Sequence, residues 1–310
     1  MLDITLAIDP RQLGHLLAID EHGSLTRAAE VLNVSQPALS SSVGLLERRL
    51  GAQVLIRTGR GVIVNELGKI LVRRAKELRS LLLGVEEEVR LRRTGRMGPL
   101  AIGATPSMVE HVIPQALAVL RQGELDIAIS VIEGLDGPLN EVLLNGELDL
   151  VIGAVEQPGA SPDLVEEVLM NDPFVLAVGY DSAIAERKNL KLSDVQSEFW
   201  VLPRPGGSAH AHVQAIFLAS GVVWPENCIN TNSAVLTKQL VARSNAIALV
   251  NTTTLAGWQA PIKAVNLAEA GARKIGIRRR KISELSPLAH RFVEIVRRTC
   301  SEVDTGMASE

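Results

Sequence analysis

The sequence predicts an all-α winged helix-turn-helix and a linker helix at the N-terminus, followed by a C-terminal α/β domain of two lobes. Three observations predict it. The first fifty residues repeat their apolar positions at helical spacing, residues 66–94 hold a helical composition without proline, and beyond Pro99 short apolar runs alternate with helical stretches. A length of 310 residues suits two domains better than one. The glycines and proline of Thr94-Gly95-Arg96-Met97-Gly98-Pro99 mark the boundary between them.

Composition narrows the class. With 46% hydrophobic and 22% charged residues the chain is too apolar for general disorder. No apolar run approaches the roughly 18 residues of a bilayer span. No basic segment precedes a long apolar one at the start, and Cys228 and Cys300 are too few for a disulfide framework. These features predict a cytoplasmic protein with reduced thiols and no membrane partner. Residues 1–98 carry 15 Lys+Arg against 11 Asp+Glu, and residues 99–310 carry 17 against 24, so a front at +4 joins a back at -7. That asymmetry suits a polyanion met by the front alone, or equally a mildly basic helical domain without such a partner.

Leu13, Leu16, Leu17 and Ile19 make one short amphipathic helix. Ser24 can cap a second, whose inward face is Leu25, Ala28, Ala29 and Leu32; the two alanines permit a close crossing. After the break at Asn33-Val34, Ser35 is the next candidate cap, with Pro37 in the first turn. Leu39, Val43, Leu46 and Leu50 then bury one face of a third helix, and Gln36, Pro37, Ser40 and Ser41 stand on the other side near its start. A second helix bearing small polar groups at an exposed start matches a helix-turn-helix, in which that start enters the major groove. Gln36 can read adenine bidentately, and Ser35 and Ser40 are short enough to reach bases or phosphates. A helical hairpin serving only packing has the same periodicity. Val54-Leu55-Ile56 and Val62-Ile63-Val64 flank Arg57-Thr58-Gly59-Arg60-Gly61 as two strands and a turn, which is a β-wing. Arg57 and Arg60 are there placed for phosphates and a narrow minor groove, or for an ion pair and plain solvation respectively.

Taken together, Gly23-Ser24-Leu25-Thr26-Arg27-Ala28-Ala29, Leu32-Asn33-Val34-Ser35-Gln36-Pro37-Ala38-Leu39-Ser40, Leu46-Glu47 with Leu50-Gly51, and Arg57-Thr58-Gly59-Arg60-Gly61 resemble the DNA-binding domain of LysR-type transcriptional regulators. The resemblance implies a winged helix-turn-helix on double-stranded promoter DNA, a long linker helix and an effector domain. It implies DNA contacts at Ser24, Thr26, Ser35, Gln36, Pro37, Ser40, Ser41, Arg57 and Arg60. Two departures stand out: Ser41 replaces the family's usual basic residue, and Val64-Asn65-Glu66 replaces its wing-closing Leu-Thr pattern. Loss of that cation flattens the salt dependence of binding by up to about one unit.

Leu67, Leu71, Leu78, Leu81, Leu82, Val85 and Val89 form a near 3-4 seam on a helix about 40 Å long. Such a stripe needs a neighbour, either a second copy of the helix or its own chain. A second copy pairs two reading heads on a two-fold operator. Family resemblance extends the homodimer to a homotetramer. The expected domains are 1–65 (winged helix-turn-helix), 66–94 (linker and dimerisation helix) and 99–310 (effector domain), with one lobe at about 99–168 and 273–310 and the other at about 169–272.

In the back half, strands are expected at 100–103, 126–132, 149–154, 174–178, 199–202, 228–231, 246–250 and 274–280. Helices are expected at 107–121, 136–146, 208–220, 233–243 and 288–299. The alternation reads as largely parallel sheets. This order, with Gly146-Glu147-Leu148-Asp149-Leu150-Val151-Ile152-Gly153, resembles the same family's effector domain, which is similar to periplasmic solute-binding proteins. Ligands of open α/β sheets sit beyond the carboxyl ends of strands. Three segments follow strands and open helices there: Thr105-Pro106-Ser107, Arg204-Pro205-Gly206-Gly207-Ser208 and Asn232-Ser233. Their hydroxyls serve as helix caps, as donors to a small effector, or as both; Arg204 can add a charge-assisted bond. Helix starts with hydroxyls and few fixed charges favour a carboxylate or a polyhydroxylated ligand. Phe199-Trp200-Val201-Leu202-Pro203 resembles a subgroup of the family associated with sugar and aromatic-acid effectors, so the effector class implied is a sugar or an organic or aromatic acid.

The remaining candidates read plainly. His210 and His212 diverge on a helix as surface histidines rather than metal ligands. Cys228 and Cys300 lie in different elements, as ordinary thiols rather than a redox pair. Arg278-Arg279-Arg280-Lys281 reads as the solvated part of a strand crossing between lobes. No Gly-x-Ser-x-Gly elbow, phosphate loop or zinc-protease motif is present, so neither catalysis nor a cofactor is expected. The competing class is a cytoplasmic solute-binding protein or enzyme with an N-terminal assembly domain.

Overall fold

The computed structural model describes residues 8–59, 61–94, 97–122, 127–156, 161–258, 260–268 and 270–307. Its contacts divide the chain into two units, Met1–Arg90 with Leu144–Glu147, and Leu91–Leu143 with Leu148–Glu310.

In the first unit, α1 (Pro10–His22) opens with a capping box between Asp9 and Gln12 and closes at Gly23 in the left-handed region, φ 63°. Ser24 Oγ accepts from Arg27 N to start α2 (Leu25–Val31). Asn33, at φ 53°, turns the chain, and Ser35 Oγ accepts from Ala38 N at 3.3 Å to start α3 (Gln36–Leu50). Ala28 and Ala29 are buried where the helices cross, against Leu16, Ile19, Leu39, Val43 and Leu46. β1 (Leu55–Thr58) and β2 (Gly61–Val64) pair antiparallel from Leu55↔Val64 to Thr58↔Gly61, forming the expected wing. Glu47 Oε1 accepts from Val54 N at 2.8 Å and from Leu55 N at 3.3 Å, tying α3 to the wing. Gly61 has to be glycine: its φ is 141°, and an added Cβ would lie 2.6 Å from Gly23 O.

Asn65 Oδ1 accepts from Gly68 N at 2.9 Å and starts α4 (Glu66–Thr94), so Asn65 fills the capping role at the altered wing exit. A side chain at Gly68 would meet Val54 O at 2.5 Å, which explains a glycine inside the helix. The single expected seam divides. Leu71, with Val72 and Ala75, is buried in the core of the winged domain, whereas Leu81, Leu82, Leu83, Val85 and Val89 are each more than half exposed.

The second unit begins with β3 (Met97–Ala104), α5 (Pro106–Glu110), α6 (Val112–Arg121), β4 (Ile127–Glu133), α7 (Asp136–Leu144) and β5 (Leu150–Ala154). The long β6 (Leu164–Gly179) leads to a 3-10 turn at Leu192–Val195, β7 (Trp200–Leu202), α8 (Ser208–Ala219), β8 (Cys228–Asn230) and α9 (Ala234–Arg243). The chain closes with β9 (Ala248–Asn251), α10 (Thr252–Ala256), β10 (Ile262–Val265), β11 (Ala272–Arg280) and α11 (Pro287–Met307). One helix expected over 107–121 is two, because Pro114 lacks the N–H that would bond Glu110 and its ring crowds that carbonyl.

The sheets are mixed rather than largely parallel. β3 is parallel to β4 and β5, and β7 to β8, but β11 is antiparallel to β5 and β6, and β6 to β9 and β10. The reason is that β6 carries the chain out of one lobe and β11 brings it back. Residues 164–173 of β6 pair with β11, and residues 174–179 pair with β9 and β10. Each lobe has its own apolar core. One holds Leu100, Ile102, Met108, Ile113, Ile152 and Phe292; the other holds Phe174, Leu176, Trp200, Leu202, Phe217 and Leu249.

Candidate nucleic-acid interface and ligand cleft

The start of α3 stands on the surface of the winged domain. Ser35, Gln36, Pro37 and Ser41 are exposed and Ser40 is half-buried, while Leu39, Val43 and Leu46 anchor the opposite face. Ser24 and Ser35 accept backbone bonds as caps, and a capping hydroxyl keeps its own proton to donate outward. Ser24 is half-buried; Thr26 and Arg27 are exposed on α2. Two residues not foreseen as part of this surface position it from α1: His15 Nδ1 pairs with Ser42 Oγ at 2.7 Å, and Gln12 Nε2 donates to Ser42 O at 3.3 Å. Burial pushes the His15 pKa down, against the opposing pull of Asp9, and favours the neutral ring. Of Arg57 only the backbone, in β1, belongs to the described residues, and Arg60 lies outside them.

In the second unit, β3, β4 and β5 of one lobe and β7 and β8 of the other turn their carboxyl ends toward one cleft, the position favoured in open α/β sheets. Its volume is about 130 Å³. Thr105, Pro106 and Ser107 line it from one side; Pro203, Ser208, Asn232 and Ser233 line it from the other. Arg204 and Gly207 are not brought to the lining. Arg204 is exposed, its backbone N–H bonded to Asn232 Oδ1 at 2.9 Å, and Gly207 sits at the N-cap of α8.

The caps also differ from expectation. Ser233 Oγ caps α9 by accepting from Leu236 N at 3.2 Å. Thr105 makes no capping bond, and its Oγ1 is buried without a hydrogen-bond partner among the described residues. Ser208 donates its hydroxyl proton across the cleft to Asp136 Oδ2 instead of capping α8. A buried hydroxyl left unpaired is costly, by about 1–3 kcal/mol, unless something arrives to bond it.

Two buried guanidiniums organise the cleft. Arg273 donates to Asp172 Oδ2 from Nε (3.1 Å) and Nη2 (2.9 Å), and Nη2 also reaches Ser107 Oγ at 2.8 Å. Asp172 in turn accepts from Thr252 Oγ1, Thr253 N and Thr253 Oγ1 at 3.2, 3.1 and 2.7 Å. Arg278 donates to Glu166 Oε1 at 2.9 Å, Asn140 Oδ1 at 2.9 Å and Asp136 Oδ1 at 3.2 Å. It is 1% exposed, so the run expected in solvent starts in the protein interior. Arg280, half-buried, donates to the carbonyls of Leu143 and Leu148 at 2.6 Å each; only Lys281 of the run is exposed. His210 and His212, expected on the surface, are half-buried beside Trp224 and Phe174.

Several lining residues were not foreseen. Leu135 and Asp136 follow β4 and open α7, so the strand-end rule applied to a fourth segment would have found them. Phe174, Asn251 and Trp258 carried no such signal. Trp258 Nε1 donates to Glu110 Oε2 at 2.9 Å, joining the lobes; burial nonetheless holds the Glu110 pKa above its ordinary value.

Comparison with known proteins matches both units. Residues 10–69 match the bacterial regulatory helix-turn-helix protein model of the lysR family, and residues 93–301 match the LysR substrate binding domain. The HTH-type transcriptional regulator GbpR of Azospirillum brasilense is 28% identical over 238 residues, covering 76% of this chain and 70% of that protein. Among solved structures, the OxyR C206 mutant of Corynebacterium glutamicum is similar with a TM-score of 0.59 and 25% identity, over 97% of this chain and 96% of that one. Full-length CbnR complexed with its target DNA shares the fold, with a TM-score of 0.62 and 22% identity over 94% of this chain and all of that one. The competing solute-binding or assembly reading gives way to these matches. Among the described residues, no helix is long and apolar enough to cross a membrane. The chain belongs to the LysR family: it is a DNA-binding transcriptional regulator with an effector-binding domain.

Proposed function

We propose that this regulator reads promoter DNA with the start of α3, pairs through residues 66–94 as a dimer that assembles further into a tetramer, and binds a small effector in its cleft. The effector is a sugar or an organic or aromatic acid, the chain performs no catalysis, and it works in the cytoplasm. The functional regions are then 1–65, 66–94 and 99–310. The observation that carries the effector assignment is the buried, unpartnered Thr105 hydroxyl on the cleft wall. An effector that bonds this hydroxyl only in one arrangement of the lobes shifts the protein toward that arrangement, because only unequal binding moves such an equilibrium.

A thermal-shift screen of small sugars and organic acids against the full chain tests the cleft. A true effector raises the melting temperature by mass action, and Thr105→Val abolishes the shift. A shift indifferent to Thr105→Val removes the cleft from consideration. For DNA, mobility shift over operator variants checks α3. Gln36→Ala should cost about 1–3 kcal/mol at one base position and relax the preference there. Weakening spread evenly over all variants would make Gln36 a phosphate contact and not a base reader.

A further inference from the structure

The cleft carries its own anion. Helix α8 is twelve residues long, and its N-cap, Gly207, offers no side chain to the first-turn N–H groups. Such an end attracts negative charge. The carboxylate of Asp136 already faces it from the other lobe, accepting from Ser208 Oγ, and Asp136 is only 8% exposed. The charge of the Arg273 guanidinium is likewise matched: two of its N–H groups go to the Asp172 carboxylate. Around the cleft, Asp136, Asp172 and Glu166 set three carboxylates against the two guanidiniums of Arg273 and Arg278.

We propose, building on the cleft reading above, that this site selects an uncharged, hydroxyl-bearing ligand of about monosaccharide size, with Asp136 as the residue that turns acids away. A ligand carboxylate would be a fourth negative group beside two cations that are already matched, and the three fixed carboxylates would oppose its desolvated charge. What the site leaves open is neutral hydrogen bonding. Thr105 Oγ1 has no partner, and Arg273 Nη1 makes no bond among the described residues. Asp136 retains lone pairs beyond its two bonds. A hydroxyl group answers all three, since it donates to a carboxylate and accepts from a guanidinium. Phe174, Trp258, Val201 and Leu249 supply an apolar wall suited to the C–H face of a sugar ring. Rejection of acids by a fixed internal charge is selectivity through repulsion.

The test uses the full chain with matched probes: D-glucose, D-galactose, D-xylose and L-arabinose, the uronates of the two hexoses, and benzoate, followed by thermal shift and calorimetry. At least one neutral sugar should stabilise the wild type while the acids do not, and Thr105→Val should abolish that shift. Asp136→Asn, which keeps an acceptor and a donor in place, should tighten uronate binding about tenfold or more, roughly 1.4 kcal/mol. Ser208→Ala, which keeps the charge and loses only the bond, should still discriminate against acids. Binding of an acid that Thr105→Val abolishes upholds the cleft and overturns the ligand class, as does no response to any neutral sugar. A sugar response untouched by Thr105→Val overturns the cleft assignment itself. The wild-type comparison of neutral and acidic probes decides the ligand class even if Asp136→Asn fails to fold.

Discussion

Arg273→Leu should lower the stability of the second unit by about 3–5 kcal/mol, the usual consequence of removing one partner from a buried ion pair. The reason lies in what remains. Asp172 has no exposure to solvent, and without the guanidinium only three threonine-derived donors remain to bond its carboxyl group. Ser107 also loses its partner on the cleft wall. The three tryptophans of the chain, Trp200, Trp224 and Trp258, all belong to the second unit, so tryptophan fluorescence during urea unfolding reports on that unit alone. Adding Asp172→Asn should recover part of the loss by removing the stranded charge, though the threonine donors prefer a carboxylate. The two single changes should therefore be strongly non-additive. A loss below about 1 kcal/mol for Arg273→Leu would mean that water or a neighbouring cation replaces the guanidinium at no penalty.

Replacing Leu82 and Val85 together by glutamate should separate the dimer and weaken binding to a two-half-site operator by about 10²–10⁴-fold, the advantage that linked reading heads ordinarily confer. Both side chains are more than half exposed on α4, where an apolar stripe without a neighbour is unfavourable. Neither belongs to the core of the winged domain, so the reading head itself should fold as before. Sedimentation velocity and mobility shift check both halves of the expectation. Affinity for a single half-site should be unchanged. A double variant that stays dimeric would move the interface off this helix.

Much of the fold was legible because its signals are local. Caps at Ser24, Ser35 and Ser233, the left-handed turn at Asn33 and the wing hairpin all act within a few residues of chain, ten at most, and α4 starts and stops where its composition says. The same holds for the cleft segments that come after strands, except at Arg204 and Gly207, which the fold leaves off the lining. What could not be read are partners brought together by the fold. Arg273 meets Asp172 across 101 positions of sequence and Arg278 meets Asp136 across 142, so Arg273 drew no reading and the buried Arg278 looked like the start of a charged run in solvent. The first half of β6 was hidden for a related reason. Residues 164–173 fall in no expected element, because the cations that pair with Glu166 and Glu167, Arg278 and Arg297, lie far along the chain. The sequence leaves Thr105 open as a cap, a donor to the effector or both, because a hydroxyl before a proline suits either role; only the three-dimensional surroundings show that its oxygen makes no cap bond.

The glycine at position 68 has a mechanical consequence. By letting the start of α4 press against the carbonyl of Val54, and with Leu71, Val72 and Ala75 embedded in the same core, it removes any slack between the reading head and the rod that leaves it. Head and rod therefore turn as one rigid lever. Each residue added to the rod beyond that shared core would rotate its far end by about 100°, so the phase of α4, as much as its length, fixes the direction in which two paired heads face their grooves.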